Sequence, residues 1–134
     1  MAETRLRSPL GRAIGLGSAK EGVEHWWAQR VSAVALVVLG LWFAASLIAH
    51  AGAERSAVIL WLQSPVPAVL AILLLIALFY HAALGLQVVI EDYVQPEWLK
   101  VSSLVAMRLI CFAVAVAGIY AVLRIAFVRL AVGG

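Results

Sequence analysis

The 134-residue chain is 65% hydrophobic and only 13% charged, with a mean hydropathy of +1.04. A water-soluble domain of this size carries charge on roughly a quarter of its residues, so a soluble globular enzyme is excluded, and a disordered chain with it. The net charge of +3 comes with arginines scattered over three regions rather than along one face; this excludes a nucleic-acid-binding surface and leaves them as signals of membrane topology. An all-α integral membrane protein with three spanning helices fits the length.

Residues 1–29 are polar and glycine-rich, with Arg5, Arg7, Arg12 and Lys20. No apolar stretch makes them a secretory signal, and Glu3, Glu21 and Glu24 argue against an organellar transit peptide. They are expected to form an extramembrane tail ahead of a three-helix domain over 30–130. The first span is residues 31–49, nineteen without a charge, long enough for a hydrocarbon core of roughly 30 Å. Trp26 and Trp27 precede it as interfacial aromatics, and Gly52 helps to end it.

The next uncharged run, 56–90, is too long for one crossing, and Pro65 and Pro67 divide it. Residues 56–63 are expected to form a short interfacial helix and 66–90 the second span, with proline tolerated in its first turn. A polar connection over 91–103 leads to the third span, 104–128. Arg108 and Arg124 lie near enough to its ends to reach the interfaces. Cys111, the single cysteine, has no partner for a disulfide or a metal and is read as a packing residue. Counting Lys and Arg on the two sides gives seven with the N-terminus against three opposite, so the N-terminus is expected in the cytoplasm and the C-terminus outside.

Chemistry is expected first at His81, about 5 Å from the middle of the second span at 1.5 Å per residue. An imidazole at that depth is costly and marks a candidate functional site. Ala77 and Gly85, one turn either side, leave a slot in which a haem edge can approach an axial ligand. The same small residues also suit close helix packing, and an interhelical hydrogen bond to a serine or a carbonyl is the plain alternative for His81. The other histidines, His25 and His50, lie at opposite ends of the first span, so a second axial ligand must come from another chain. Asp92 lies eleven residues beyond His81, about three turns and 16 Å along the same face. With Tyr93 it forms a carboxylate–phenol pair suited to proton delivery to a quinone; a solvated helix end explains the pair equally. Arg30, at the entrance of the first span, can meet haem propionates or a quinone oxygen, or serve only as a topology anchor.

The stretch HAALGLQVVIEDYV (residues 81–94) resembles a segment of the small membrane-anchor subunits of succinate dehydrogenase, respiratory complex II, in which a pattern H-x-x-x-G-x-x-x-V-[IL]-x-D-Y opens on the haem ligand and closes on the Asp-Tyr pair. GLGSAKEGVEHWWAQRVSA (residues 15–33) also looks like the start of this subunit in alphaproteobacteria. The resemblance covers residues 15 to about 100. It implies that His81 is the haem b axial ligand and its iron contact, that Tyr93 hydrogen-bonds ubiquinone beside the acidic Asp92, and that Arg30 lies near the haem propionates and the quinone pocket. The sister cytochrome b anchor subunit, which carries an HR-x-[ST]-G signature where this chain has QRVSA, would supply the second histidine. The chain is thus expected to hold the flavoprotein and iron–sulfur subunits on the bacterial inner membrane, with flavin and cluster ligands on those other chains. His25, Arg30, Asp92 and Tyr93 are expected to gather at the quinone-side interface. Rival readings are the anchor of a fumarate reductase, a homodimeric b-type cytochrome and a haem-free structural subunit.

Overall fold

The computed structural model describes residues 17–132, with side chains from 22 to 128. The expected tail therefore lies largely outside the described residues, Arg5, Arg7 and Arg12 among them. Four helices follow in order: α1 (Gly17–Ala49), the short α2 (Arg55–Leu62), α3 (Pro65–Tyr93) and α4 (Glu97–Val132). No strand occurs among the described residues. The all-α class and the three long apolar spans expected from hydropathy are what the structure has, at Gly22–Ala49, Pro65–Tyr93 and Glu97–Val128.

Each helix boundary has a local cause. Gly52 adopts φ +81°, a left-handed conformation that side chains with a Cβ disfavour, and it turns the chain between α1 and α2. Ser64 caps α3 in an extended conformation, and its carbonyl accepts from the Ala68 N–H at 3.2 Å. Pro65 and Pro67 fall in the first turn, where the missing N–H groups have no helical partner to lose. At the far end, the Val94 N–H donates to the Ile90 carbonyl at 3.0 Å, and Pro96 stops further winding. Its own carbonyl then accepts from the Lys100 N–H at 2.9 Å and opens α4.

The helices run past the uncharged stretches. α1 starts at Gly17, inside the polar leader, and only residues 94–96 separate α3 from α4. Lys, Glu and Arg are good helix formers, so a helix that leaves the hydrocarbon continues into the polar layer at no cost in propensity. The polar connection expected at 91–103 is thus mostly helix.

α3 is the central element and packs against both α1 and α4; α2 leans on α3 and α4. The start of α1 lies beside the end of α3, and the start of α4 beside the same end, so successive long helices are antiparallel. Very little is enclosed: Ala68, Met107 and Ser32 are the buried residues among those described. Val, Leu, Ile and Phe side chains on all three long helices point outward. In the seam between α3 and α4, a Cβ on Gly118 would stand 3.1 Å from Leu75 Cδ1. Small residues permit such approaches between membrane helices.

That contact gives a packing prediction. Gly118→Ala asks Leu75 to yield by a few tenths of an ångström and should be nearly neutral. Gly118→Leu overfills the seam and should destabilise by about 1–3 kcal/mol, read as a lower thermal inactivation temperature of the detergent-solubilised assembly.

Candidate functional site

His81 lies just past the middle of α3 and is half-buried. Its Nδ1 is 2.9 Å from Ser32 Oγ on α1, and the same hydroxyl donates to the Gln29 carbonyl at 3.0 Å. Ser32 is 6% exposed and is the buried polar residue of the described chain. Beside this contact opens a cleft of about 330 Å³ lined by Trp26, Gln29, Arg30, Ala33 and His81. Arg30 lies with its guanidinium carbon 5.3 Å from the centre of the Trp26 ring, a cation–π contact that keeps the charge at the helix surface. Gly85, one turn beyond His81, has nothing within 4 Å of where a Cβ would stand.

The expected haem slot can be tested on these features. The Nδ1 of His81 is engaged, and among the described residues Nε2 has no hydrogen-bond partner. The space over Gly85 is open, and a permanent cation borders the cleft. These residues would suit the edge of a macrocycle bearing acidic groups, which His81 could hold through Nε2. Among the described residues no group of three or more His, Cys, Asp and Glu could hold a metal ion without such a macrocycle.

His50 and His25 are placed elsewhere. His50 donates through Nδ1 to the Ser46 carbonyl at 2.8 Å, and its ring centre lies 4.7 Å from that of Trp61. Trp61 in turn stacks on Trp42 at 6.0 Å, so His50 belongs to an aromatic cluster closing the α1–α2 corner. It follows Ser32 by eighteen residues, about 27 Å of helix rise. His25 precedes Ser32 by two turns and lines a separate cavity of about 590 Å³ between α1, α3 and α4, with Glu24, Tyr80, Gln87, Glu91 and Arg108. Its Nε2 is buried there without a partner. Arg108, expected to reach for the interface, donates to Gln87 Oε1 at 2.9 Å, and Gln87 Nε2 donates to Glu91 Oε1 at 2.8 Å.

Asp92 and Tyr93 end α3, both exposed, Tyr93 by 80%. Neither lines the His81 cleft. Of the four residues expected to gather at one interface, the structure sets Arg30 beside His81, gives His25 its own cavity, and leaves Asp92 and Tyr93 facing outward at the helix end. The interhelical hydrogen bond to a serine, the plain alternative for His81, is present, and the serine is Ser32. Which serine it would be, and the part of Gln29, the sequence did not show, because nothing in it pairs residue 32 with residue 81.

A bundle of three long apolar helices with so small an interior, and with a histidine held at depth beside an arginine-bordered cleft, defines an integral membrane subunit. The model of succinate dehydrogenase/fumarate reductase transmembrane subunits matches residues 4–117. The chain is 35% identical over 116 residues to the succinate dehydrogenase hydrophobic membrane anchor subunit of Rickettsia bellii, covering 87% of this chain and 93% of that one. It is 34% identical over 120 residues to the corresponding subunit of Paracoccus denitrificans, covering 90% and 92%. The chain therefore belongs to the succinate dehydrogenase/fumarate reductase transmembrane subunit family. It is a membrane anchor subunit of the succinate dehydrogenase complex, seated in the inner membrane.

Proposed function

We propose that this anchor contributes one axial ligand to a b-type haem and one side of the ubiquinone reduction site. The observation that carries this reading is the shared cleft of His81 and Arg30, with Nε2 of His81 unengaged. Haem b, when bound, supplies a one-electron redox centre within the membrane. His81 would hold its iron from α3. The Arg30 guanidinium would neutralise a propionate or polarise a quinone oxygen.

Reduction of a quinone to a quinol takes up two electrons and two protons. Tyr93 can donate its phenolic O–H to a quinone carbonyl oxygen, which orients the ring and favours negative charge developing on that oxygen. Asp92, beside it at the aqueous end of α3, can take a proton from water on a carboxylate oxygen and pass it on. Their exposure supports a site closed by a neighbouring chain. The sister cytochrome b anchor would provide the second axial histidine, since His25 and His50 lie far along α1 from Ser32. Succinate oxidation, on this reading, belongs to the flavoprotein, and the iron–sulfur subunit passes its electrons to the quinone.

The positive charge of the leader and of Lys100 and Arg108 supports a cytoplasmic N-terminus. The reading extends the membrane domain over 30–130, with the leader outside it.

These assignments separate experimentally. Tyr93→Phe removes one donor and keeps the ring; a net hydrogen bond is worth roughly 0.5–1.5 kcal/mol, more where it strengthens in the transition state. Quinone reductase activity should fall at least several-fold, while succinate oxidation by a dye that intercepts electrons before quinone stays normal. Asp92→Asn should show the same split. Wild-type quinone reductase rates in Tyr93→Phe would move the site elsewhere. For orientation, a reporter active only outside the cytoplasm and fused after Gly134 should give signal; a signal from a cytoplasm-dependent reporter there would overturn the topology.

A further inference from the structure

We propose that Ser32 is the positioning residue of His81: its hydroxyl oxygen accepts the Nδ1 proton of the imidazole and so holds the tautomer and ring orientation that leave Nε2 free for iron. This rests on the reading of His81 as a haem ligand.

The tautomer follows from proton counting. Ser32 Oγ lies 3.0 Å from the Gln29 carbonyl oxygen and 2.9 Å from His81 Nδ1. A carbonyl can only accept, so the single hydroxyl proton points to Gln29. Ser32 then offers His81 nothing but lone pairs, and Nδ1 must carry the hydrogen. A neutral imidazole has one N–H, which leaves Nε2 as a bare lone pair. The reverse arrangement sends the serine proton to Nδ1. It sets the serine and carbonyl oxygens face to face at 3.0 Å with no proton between them. It also puts an N–H on Nε2, which has no acceptor among the described residues, inside an apolar span where an unmade hydrogen bond is costly. Both consequences disfavour it.

The rest of the geometry suits the role. Ser32 is buried at 6% exposure, so water does not compete for its oxygen. A serine bonded to the carbonyl three residues back sits with its hydroxyl against its own helix, and the bond to Gln29 therefore fixes where the acceptor for His81 stands. Histidines that bind metals commonly donate the other ring N–H to an oxygen that orients them, and loss of that partner typically weakens metal binding about 10–100-fold. Here α1 provides the oxygen and α3 the ligand, so docking of the two helices sets the direction of Nε2.

The test uses the whole complex carrying Ser32→Ala, Ser32→Thr or His81→Ala. Haem per complex, the low-spin electron paramagnetic resonance g-values and the haem midpoint potential are measured in each. Ser32→Ala should retain haem about tenfold or more weakly, with shifted g-values in the fraction that remains. Its potential should move upward, because an imidazole without an acceptor on Nδ1 gives less electron density to ferric iron. Ser32→Thr keeps the hydroxyl and should restore content, g-values and potential. Three results would overturn the proposal. Wild-type haem properties in Ser32→Ala, with the low-spin signal lost in His81→Ala, would leave the ligand standing and remove Ser32 from it. Equal losses in the alanine and threonine variants would trace the effect to packing. An unchanged low-spin signal in His81→Ala would remove the ligand assignment itself, and Ser32 with it.

Discussion

Hydrocarbon offers no hydrogen bonds, so every polar group carried into the bilayer must find its partner within protein. His81 is the sharpest case in this chain. Its Nδ1 meets Ser32 Oγ across the α1–α3 seam, and the Ser32 hydroxyl donates its hydrogen bond to the Gln29 carbonyl. That chain of two bonds reaches from one long helix into the backbone of another. It fixes the relative height of α1 and α3, and with them the cleft that Trp26, Arg30 and His81 share.

Little else holds the bundle by enclosure. Ala68 and Met107 are its buried apolar residues among those described, and one tight contact of α3 with α4 rests on the absence of a side chain at Gly118 facing Leu75. In lipid this is not a defect, because tails solvate leucine and valine as well as protein does, and helices associate through close packing and polar contacts instead. The thin interior is also what an anchor requires. A subunit that buried its apolar faces against itself would have none left for the rest of the succinate dehydrogenase complex.

Much of this architecture was legible in the sequence, for a definite physical reason. Hydrocarbon thickness converts directly into a count of uncharged residues, so 31–49 and 66–90 stood out, and Pro65 with Pro67 could only mark a first turn. The short helix before them, α2, is where the division at the prolines put it. What hydropathy cannot see is helix outside the hydrocarbon: α1 reaches back to Gly17 and α4 begins at Glu97, among charged residues that favour helix as readily as leucine does. Pairings between helices were invisible too. Arg108 looked like a side chain destined for the interface, yet it donates to Gln87 on α3. His81 stood out because imidazole is rare at such depth, whereas Ser32 passes unnoticed among the alanines and valines of its span.

The two candidate regions sit at different levels of the membrane, and α3 carries both. From His81 to Asp92 the helix rises about 16 Å and completes three turns, so the proposed ligand and the proposed proton-handling residue lie on one face, yet among the described residues only the deeper one has walls from this chain. Around His81, α1 supplies Ser32, Gln29 and Arg30; around Tyr93 there is no such wall among the described residues, and the phenol is 80% exposed. A hydrogen bond to a quinone gains strength only where water is excluded. On the proposed reading, the outer pair takes its chemistry from closure by a neighbouring subunit, whereas His81 is already oriented within its own chain, and the faces that dock would be the faces that close the quinone site.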